Sequence, residues 1–275
     1  MLQVKKKTVI STLILIFVLL AMAFPFYIML IGAFKGNMAL MRLPPDINPF
    51  KDLVITNYRY VAQNSDIMRW LYNSFTIGVS VALVTIFIAA TAGYALAKIQ
   101  FRFSGVVFAV IIATMILPKQ ILLIPNFLVA LNLNLTNKLI GVVLTTVSPA
   151  FGIFLCRQFM QTIPRELTES AEIDGCSEIG KFLRIIAPLS LPALGALGIF
   201  AFFGAFNDFL WQLIMISDKK LHTVPIGIAM FAQQHITNIG RQLMAATIAT
   251  IPLIILFIAC QRFFVKGITL GSVKG

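Results

Sequence analysis

Long runs of apolar residues, broken by short clusters of charge, set the pattern of this chain. Between Lys7 and Lys35 lie 27 residues without a charge, and between Arg69 and Lys98 there are 28. Arg102 to Lys119 encloses 16, Lys138 to Arg157 encloses 18, Arg184 to Asp208 encloses 23 and Arg241 to Arg262 encloses 20. About 20 residues of helix cross a bilayer core. After Lys119 the apolar run resumes at Ile121, so the pattern predicts six spans, near 9–34, 72–97, 104–125, 139–157, 187–215 and 242–263. The runs are continuous and do not alternate in segments of about ten residues, which favours helices over a barrel. The expected class is therefore all-α, a single polytopic membrane domain covering residues 1–275.

Composition agrees with that pattern. Of 275 residues, 59% are hydrophobic and 12% charged, and the mean hydropathy is +0.93. A soluble domain has about 25% charged residues. The first run follows Lys5, Lys6 and Lys7 as a secretory signal would, but it is too long for a cleaved signal and no A-x-A-like site follows. It reads as an uncleaved first span.

The formal charge is +12. In an apolar chain this places basic residues beside anionic lipid head groups and does not call for nucleic acid. Six spans put both termini on one side. With that side cytoplasmic, twelve basic residues lie inside and the other ten outside. Lys5 to Lys7 and the Lys98/Arg102 pair sit in short flanks, which the positive-inside rule weights most, so both termini are expected in the cytoplasm. Cys156, Cys176 and Cys260 are far apart and His222 and His235 have no metal spacing, so no metal and no cofactor is expected.

Five of the ten acidic residues fall in one stretch, as Glu166, Glu169, Glu172, Asp174 and Glu178. So charged a loop must meet water or a soluble partner. Pro164 and Glu166 suit the start of a helix, Gly175 its end, and Ser177 the cap of a second helix holding Lys181, Phe182, Arg184 and Ile185. The expectation is a helix–turn–helix hairpin over 163–186. Ile163, Leu167 and Ala171 share one face of its first helix, with Ser170 keeping that face small. A solvated acidic loop with ordinary caps accounts for the same residues.

The order Glu169-Ser170-Ala171-x-x-Asp174-Gly175, nine residues, then Ile185-Ile186-Ala187-Pro188 resembles the EAA loop of ABC importer permeases: Glu-Ala-Ala, three residues, Gly, nine residues, Ile-x-Leu-Pro. Ser170 and Ala187 depart from the pattern, both by small changes. Thr56-Asn57-Tyr58, Asn73-Ser74-Phe75, Gly93-Tyr94-Ala95-Leu96-Ala97, Pro118 to Pro125, Phe206-Asn207-Asp208-Phe209 and the tail Lys266 to Gly275 are similar to the sugar-importer branch, and to its second, maltose-type permease subunit. The resemblance implies a permease of a prokaryotic cell membrane and no enzyme. It implies cytoplasmic ATPase subunits, a second permease subunit and an extracytoplasmic solute-binding protein as partners. It also implies that Glu169, Ser170, Ala171, Asp174 and Gly175 meet an ATPase subunit, with no catalytic residue in this chain.

Gly175 to Lys181 nearly matches a phosphate-binding loop, but Phe182 stands where Ser or Thr must bind magnesium, and no strand precedes it. Asp208, beside Asn207, is the one acid in an apolar run. It either lines the pathway, where it could couple an ion as in a secondary transporter or channel, or is structural near the outer end of the fifth span. Lys119 is expected to snorkel to the interface, and Pro118 and Pro125 to break the third span near an outer gate. An intramembrane enzyme would need a converging set such as paired carboxylates or HExxH, and none is written here.

Overall fold

A computed structural model describes residues 2–99 and 101–269, with side chains described for residue 9, 11–99 and 101–261. The basic residues Lys5, Lys6, Lys7, Arg262, Lys266 and Lys274, and the tail beyond Thr269, lie outside the described side chains or residues. Apart from the short turns Asn37–Leu40 and Lys219–Leu221, the described helices are α1 (Leu2–Ala33), α2 (Thr56–Asn64), α3 (Ile67–Lys98), α4 (Ser104–Thr114), α5 (Leu123–Asn132), α6 (Leu139–Thr146), α7 (Ala150–Gln161), α8 (Glu166–Ile173), α9 (Glu178–Leu189), α10 (Leu191–Phe206), α11 (Leu210–Met215), α12 (Val224–Gln234) and α13 (Ile239–Thr269). Among the described residues there is no strand, only one isolated bridge between Lys35 and Leu53.

Three stretches are long and apolar enough to cross a membrane unaided: Ser11–Ala33, Ile67–Lys98 and Ile239–Gln261. Two more qualify as bent pairs, α6 with α7 at 51° and α9 with α10 at 76°. Pro149 opens α7, and Pro188 and Pro192 flank the second bend. A proline cannot donate to the preceding turn, which accounts for both breaks. It also accounts for the π-helical stretch Phe182–Ile186, where the Ala187 N–H reaches back five residues to Phe182.

The stretch expected as a single span over 104–125 is not one helix. α4 stops at Thr114 after 11 residues, and α5 begins at Leu123. Eleven residues rise only about 16 Å, against a core of about 30 Å. Pro118 lacks the donor needed to continue the helix, while Pro125 falls in the first turn of α5, where no donor is needed.

The chain divides into two compact units. The first comprises Met1–Ile67 and Gly227–Ile254. Its polar anchors are backbone-directed. The Asn57 amide donates to Ala33 O (2.9 Å) and Lys35 O (2.8 Å), and Lys35, fully buried, reaches Asp46 (3.5 Å) and the Lys51 carbonyl. Asn37 receives the Ile239 N–H (2.9 Å) and so caps the start of α13. In the turn after α12, the His235 ring stacks on Phe231 (4.2 Å) and its Nε2 lies 3.0 Å from the Tyr60 hydroxyl.

The second unit comprises Met68–Ile226 and Ile255–Gly275. Its core gathers Ala89, Ala90, Tyr94, Ile153, Cys156, Met160, Ile186 and Leu197 from α3, α7, α9 and α10. A Cβ at Gly93 would stand 2.6 Å from Cys156 Cβ, so only glycine lets α3 pass this close to α7. Asn73 donates to Lys220 O (3.0 Å) and His222 O (2.9 Å), and Ser74 accepts the Val224 N–H (2.8 Å). The Asn-Ser pair thus ties the start of α3 to the 219–224 segment.

Candidate functional site

The acidic loop folds as the expected hairpin. α8 ends with Gly175 at φ +75°, the Cys176 N–H donating to Ala171 O (2.8 Å) and the Gly175 N–H to Glu172 O (3.0 Å). This paired closure turns the chain out of the helix and needs a left-handed residue at position 175. Ser177 then caps α9, its Oγ accepting the Gly180 N–H at 3.2 Å. Helix start and stop were both legible because each depends on one residue's backbone or side chain.

A buried cation fastens the hairpin. Lys181 is 4% exposed, and its Nζ donates to Glu172 (2.8 Å) and Glu178 (2.7 Å). The other oxygen of Glu178 accepts the hydroxyl of Tyr94 at 2.8 Å. Lys98 donates to Ile163 O (2.5 Å), the residue that leads into α8. The carboxylates of Glu172 and then Glu178 push Lys181 upward, and Lys181 and then Tyr94 hold Glu178 below the usual carboxylate range. The Lys181–Glu178 pair therefore stays charged at neutral pH. It would loosen only as pH falls through the lowered Glu178 value. Through Tyr94 and Lys98, α8 and α9 are linked to the end of α3, which is a membrane-crossing helix. Nothing along the chain signals this link, because Tyr94 and Glu178 are 84 residues apart.

The residues expected at a partner surface divide. Glu169, Ser170, Asp174 and Gly175 are exposed, while Ala171 is buried within this chain, as is Ile163. Leu167 stays 43% exposed, and Ile173 is 87% exposed. The free face of α8 is thus acidic at Glu169 and Asp174 and apolar at Ile173. Ile173 was not singled out by sequence, though an isoleucine beside four carboxylates is the visible signal.

A second feature lies where helices break. Two adjoining cavities, of about 490 and 320 Å³, share Lys119, Leu122, Thr146, Ser148 and Asp208. The larger adds Phe151 and Phe200, the smaller Asn126 and Trp211. Asp208 sits in the turn between α10 and α11 and accepts the Trp211 N–H (3.2 Å). Asn207 bonds Phe203 O (3.0 Å), so it does not cap Asp208. The Trp211 indole donates to Thr145 (2.9 Å), and the Thr146 hydroxyl is buried without a partner. Lys119, expected only to snorkel, lines both cavities with Asp208, yet the two form no ion pair. Non-helical backbone at membrane depth is tolerated where it lines such a cavity. Among the described residues no group of His, Cys, Asp and Glu could hold a metal.

Broken helices around a polar cavity, with a charged hairpin tied to a membrane helix, define a polytopic transport protein. Residues 89–270 match the model of the binding-protein-dependent transport system inner membrane component, and the chain belongs to that family. It is 33% identical over 267 residues to the arabinooligosaccharides transport system permease protein AraQ of Bacillus subtilis (strain 168), covering 96% of this chain and 95% of AraQ. It is 32% identical over 269 residues to the sn-glycerol-3-phosphate transport system permease protein UgpE of Salmonella typhi, covering 95% of each. Its fold resembles a chain from the crystal structure of a bacterial ABC transporter involved in the import of the acidic polysaccharide alginate, with a TM-score of 0.82, 20% identity, and 94% and 97% of the two chains covered.

Proposed function

We propose that this chain is one of two different permease subunits of an ATP-driven importer for a sugar or oligosaccharide, and is not itself an enzyme. Cytoplasmic ATPase subunits receive α8, with Glu169 and Asp174 facing basic residues of that partner and Ile173 filling an apolar recess. An extracytoplasmic binding protein delivers the solute. The observation that carries this reading is the exposed acidic face of α8, fastened through Lys181, Glu178 and Tyr94 to α3. A distant ATPase can bias a pathway only through such a packed, movable element. The substrate class rests on relatives named for arabinooligosaccharides, and fits a cavity lined by hydroxyls, amides and aromatic rings. Copurification of the assembled transporter, with uptake assayed over a panel of oligosaccharides, tests it. Recovery of the chain without an ATPase subunit would overturn it.

The chain crosses the membrane six times, the third crossing being short and broken, and both termini are cytoplasmic. In a Cys176→Ser/Cys260→Ser background, Ile179→Cys is expected to react with an impermeant thiol reagent only from the cytoplasm, and Phe50→Cys only from outside. Both positions are strongly exposed, at 71% and 94%. Labelling of the two from one side refutes this topology.

Asp208 lines the pathway but serves as a helix-break cap and not as a proton carrier. Asp208→Asn keeps the acceptor for the Trp211 N–H and is expected to retain most uptake, with protonophores without effect in ATP-loaded proteoliposomes. Loss of uptake together with protonophore sensitivity would instead assign ion coupling to Asp208.

A further inference from the structure

A third cavity, apart from the two that share Asp208, lies on the α8 side of the second unit. Its volume is about 400 Å³, and it is lined by Lys98, Arg102, Arg157 and Arg165 together with Phe101 and Ser104. Four cations thus converge from the end of α3, the start of α4, the end of α7 and the approach to α8. Among the described residues none of the four makes a salt bridge. Glu166, next to Arg165, does not pair with it. Lys98 is satisfied by one carbonyl, Ile163 O. Arg157 stacks on Phe108 at 3.8 Å, and its Nε donates to Leu96 O at 3.4 Å; among the described residues its two terminal nitrogens are left over. Among the same residues Arg102 has only the ring of Phe103, at 5.6 Å, and the exposed Arg165 side chain has no hydrogen bond or ion pair.

Glu166 lies near enough to act on Lys98, and Glu169, Glu172 and Glu178 line an adjoining pocket with Lys98 and Arg165. No carboxylate lines the basic cavity itself. Cations gathered there repel one another, and an anion among them relieves the repulsion while accepting several charge-assisted hydrogen bonds. The surroundings select the kind of anion. Ile99, Phe101 and Phe103, in the turn between α3 and α4, are 40%, 40% and 60% exposed. The apolar α4 that follows buries none of its residues within this chain. Aromatic and apolar side chains beside a basic cluster at the end of a membrane helix sit at head-group depth. Basic pockets between such helices suit the phosphates of anionic lipids.

We propose that this pocket binds the phosphate of an anionic phospholipid, with Arg157 and Arg165 as bidentate donors, Lys98 and Arg102 as further charges, and the acyl chains lying along α4. The lipid would bridge the end of α3 and the approach to α8, so it would brace the base of the hairpin.

The test uses the assembled transporter, delipidated and then equilibrated with vesicles of equal parts phosphatidylglycerol and phosphatidylcholine, with bound lipid counted by native mass spectrometry. Arg102→Gln/Arg165→Gln changes two exposed side chains that hold no part of the fold. It is expected to lower the preference for phosphatidylglycerol about tenfold, each basic group near the surface contributing to anionic lipid binding. Lys219→Gln/Lys220→Gln removes the same charge elsewhere and is expected to leave the preference unchanged. Equal loss in both pairs would reduce the effect to net charge, and no preference in the parent protein would remove the site; either result overturns the proposal. So would binding of inorganic phosphate without selection among lipids. Loss of ATPase copurification in Arg102→Gln/Arg165→Gln, with lipid selection intact, would assign the pocket to that partner instead.

Discussion

Glu172→Gln/Glu178→Gln is expected to uncouple the assembled transporter, with ATP hydrolysis continuing while uptake falls. The double change leaves Lys181, 4% exposed, without either carboxylate. A buried charge stripped of its partners is costly, whereas two solvated glutamates lose little when they become amides. The Lys181 side chain is then expected to seek water, opening the contact between α8 and α9 and weakening the hold of Tyr94 on α9. Coupling carried by such an element is worth about 0.5–2 kcal/mol, or roughly a two- to thirty-fold change in the ratio of uptake to hydrolysis. Glu172→Gln alone leaves the Glu178 pair and is expected to do less. Adding Lys181→Met removes the stranded charge and should restore insertion and thermal stability without restoring coupling. A parental ratio of uptake to hydrolysis in the double variant would show that the ion network does not transmit the motion.

Gly175→Leu is the second large effect. Position 175 sits at φ +75°, and nothing lies within 4 Å of where its Cβ would stand. The cost is therefore purely conformational, about 1–2 kcal/mol for a side chain in the left-handed region. Relief requires unwinding the last turn of α8 and breaking the bonds from Cys176 and Gly175 back to Ala171 and Glu172. That moves Glu169 and Asp174, the acids proposed to face the ATPase. Uptake is expected to collapse while membrane insertion stays intact. Gly175→Asn should recover much of it, since asparagine tolerates this backbone. Glu169→Ala leaves the hairpin folded and is expected to lose ATPase coupling by removing the charge alone. Equal uptake in Gly175→Leu and the parent would exclude any dependence of coupling on the pose of α8.

Much of this protein can be read along the chain. Uncharged runs locate its membrane helices, because burying a charge in hydrocarbon costs more than local packing returns. The hairpin was equally legible, since Ser177 as cap and Gly175 as stop act within a few residues of themselves. The third span was legible as apolar and as broken at its prolines, but hydropathy alone does not place the end of its helix at Thr114, after 11 residues. What only the tertiary structure decided are the long-range meetings. Tyr94 with Glu178, Lys98 with Ile163, Asp208 and Lys119 round one cavity, and four cations round another come from residues tens of positions apart. Apolar periodicity fixes that a helix is buried in lipid or protein. Which polar side chains then share a cavity depends on how the helices pack, on the close pass that Gly93 allows, and on where prolines bend the backbone.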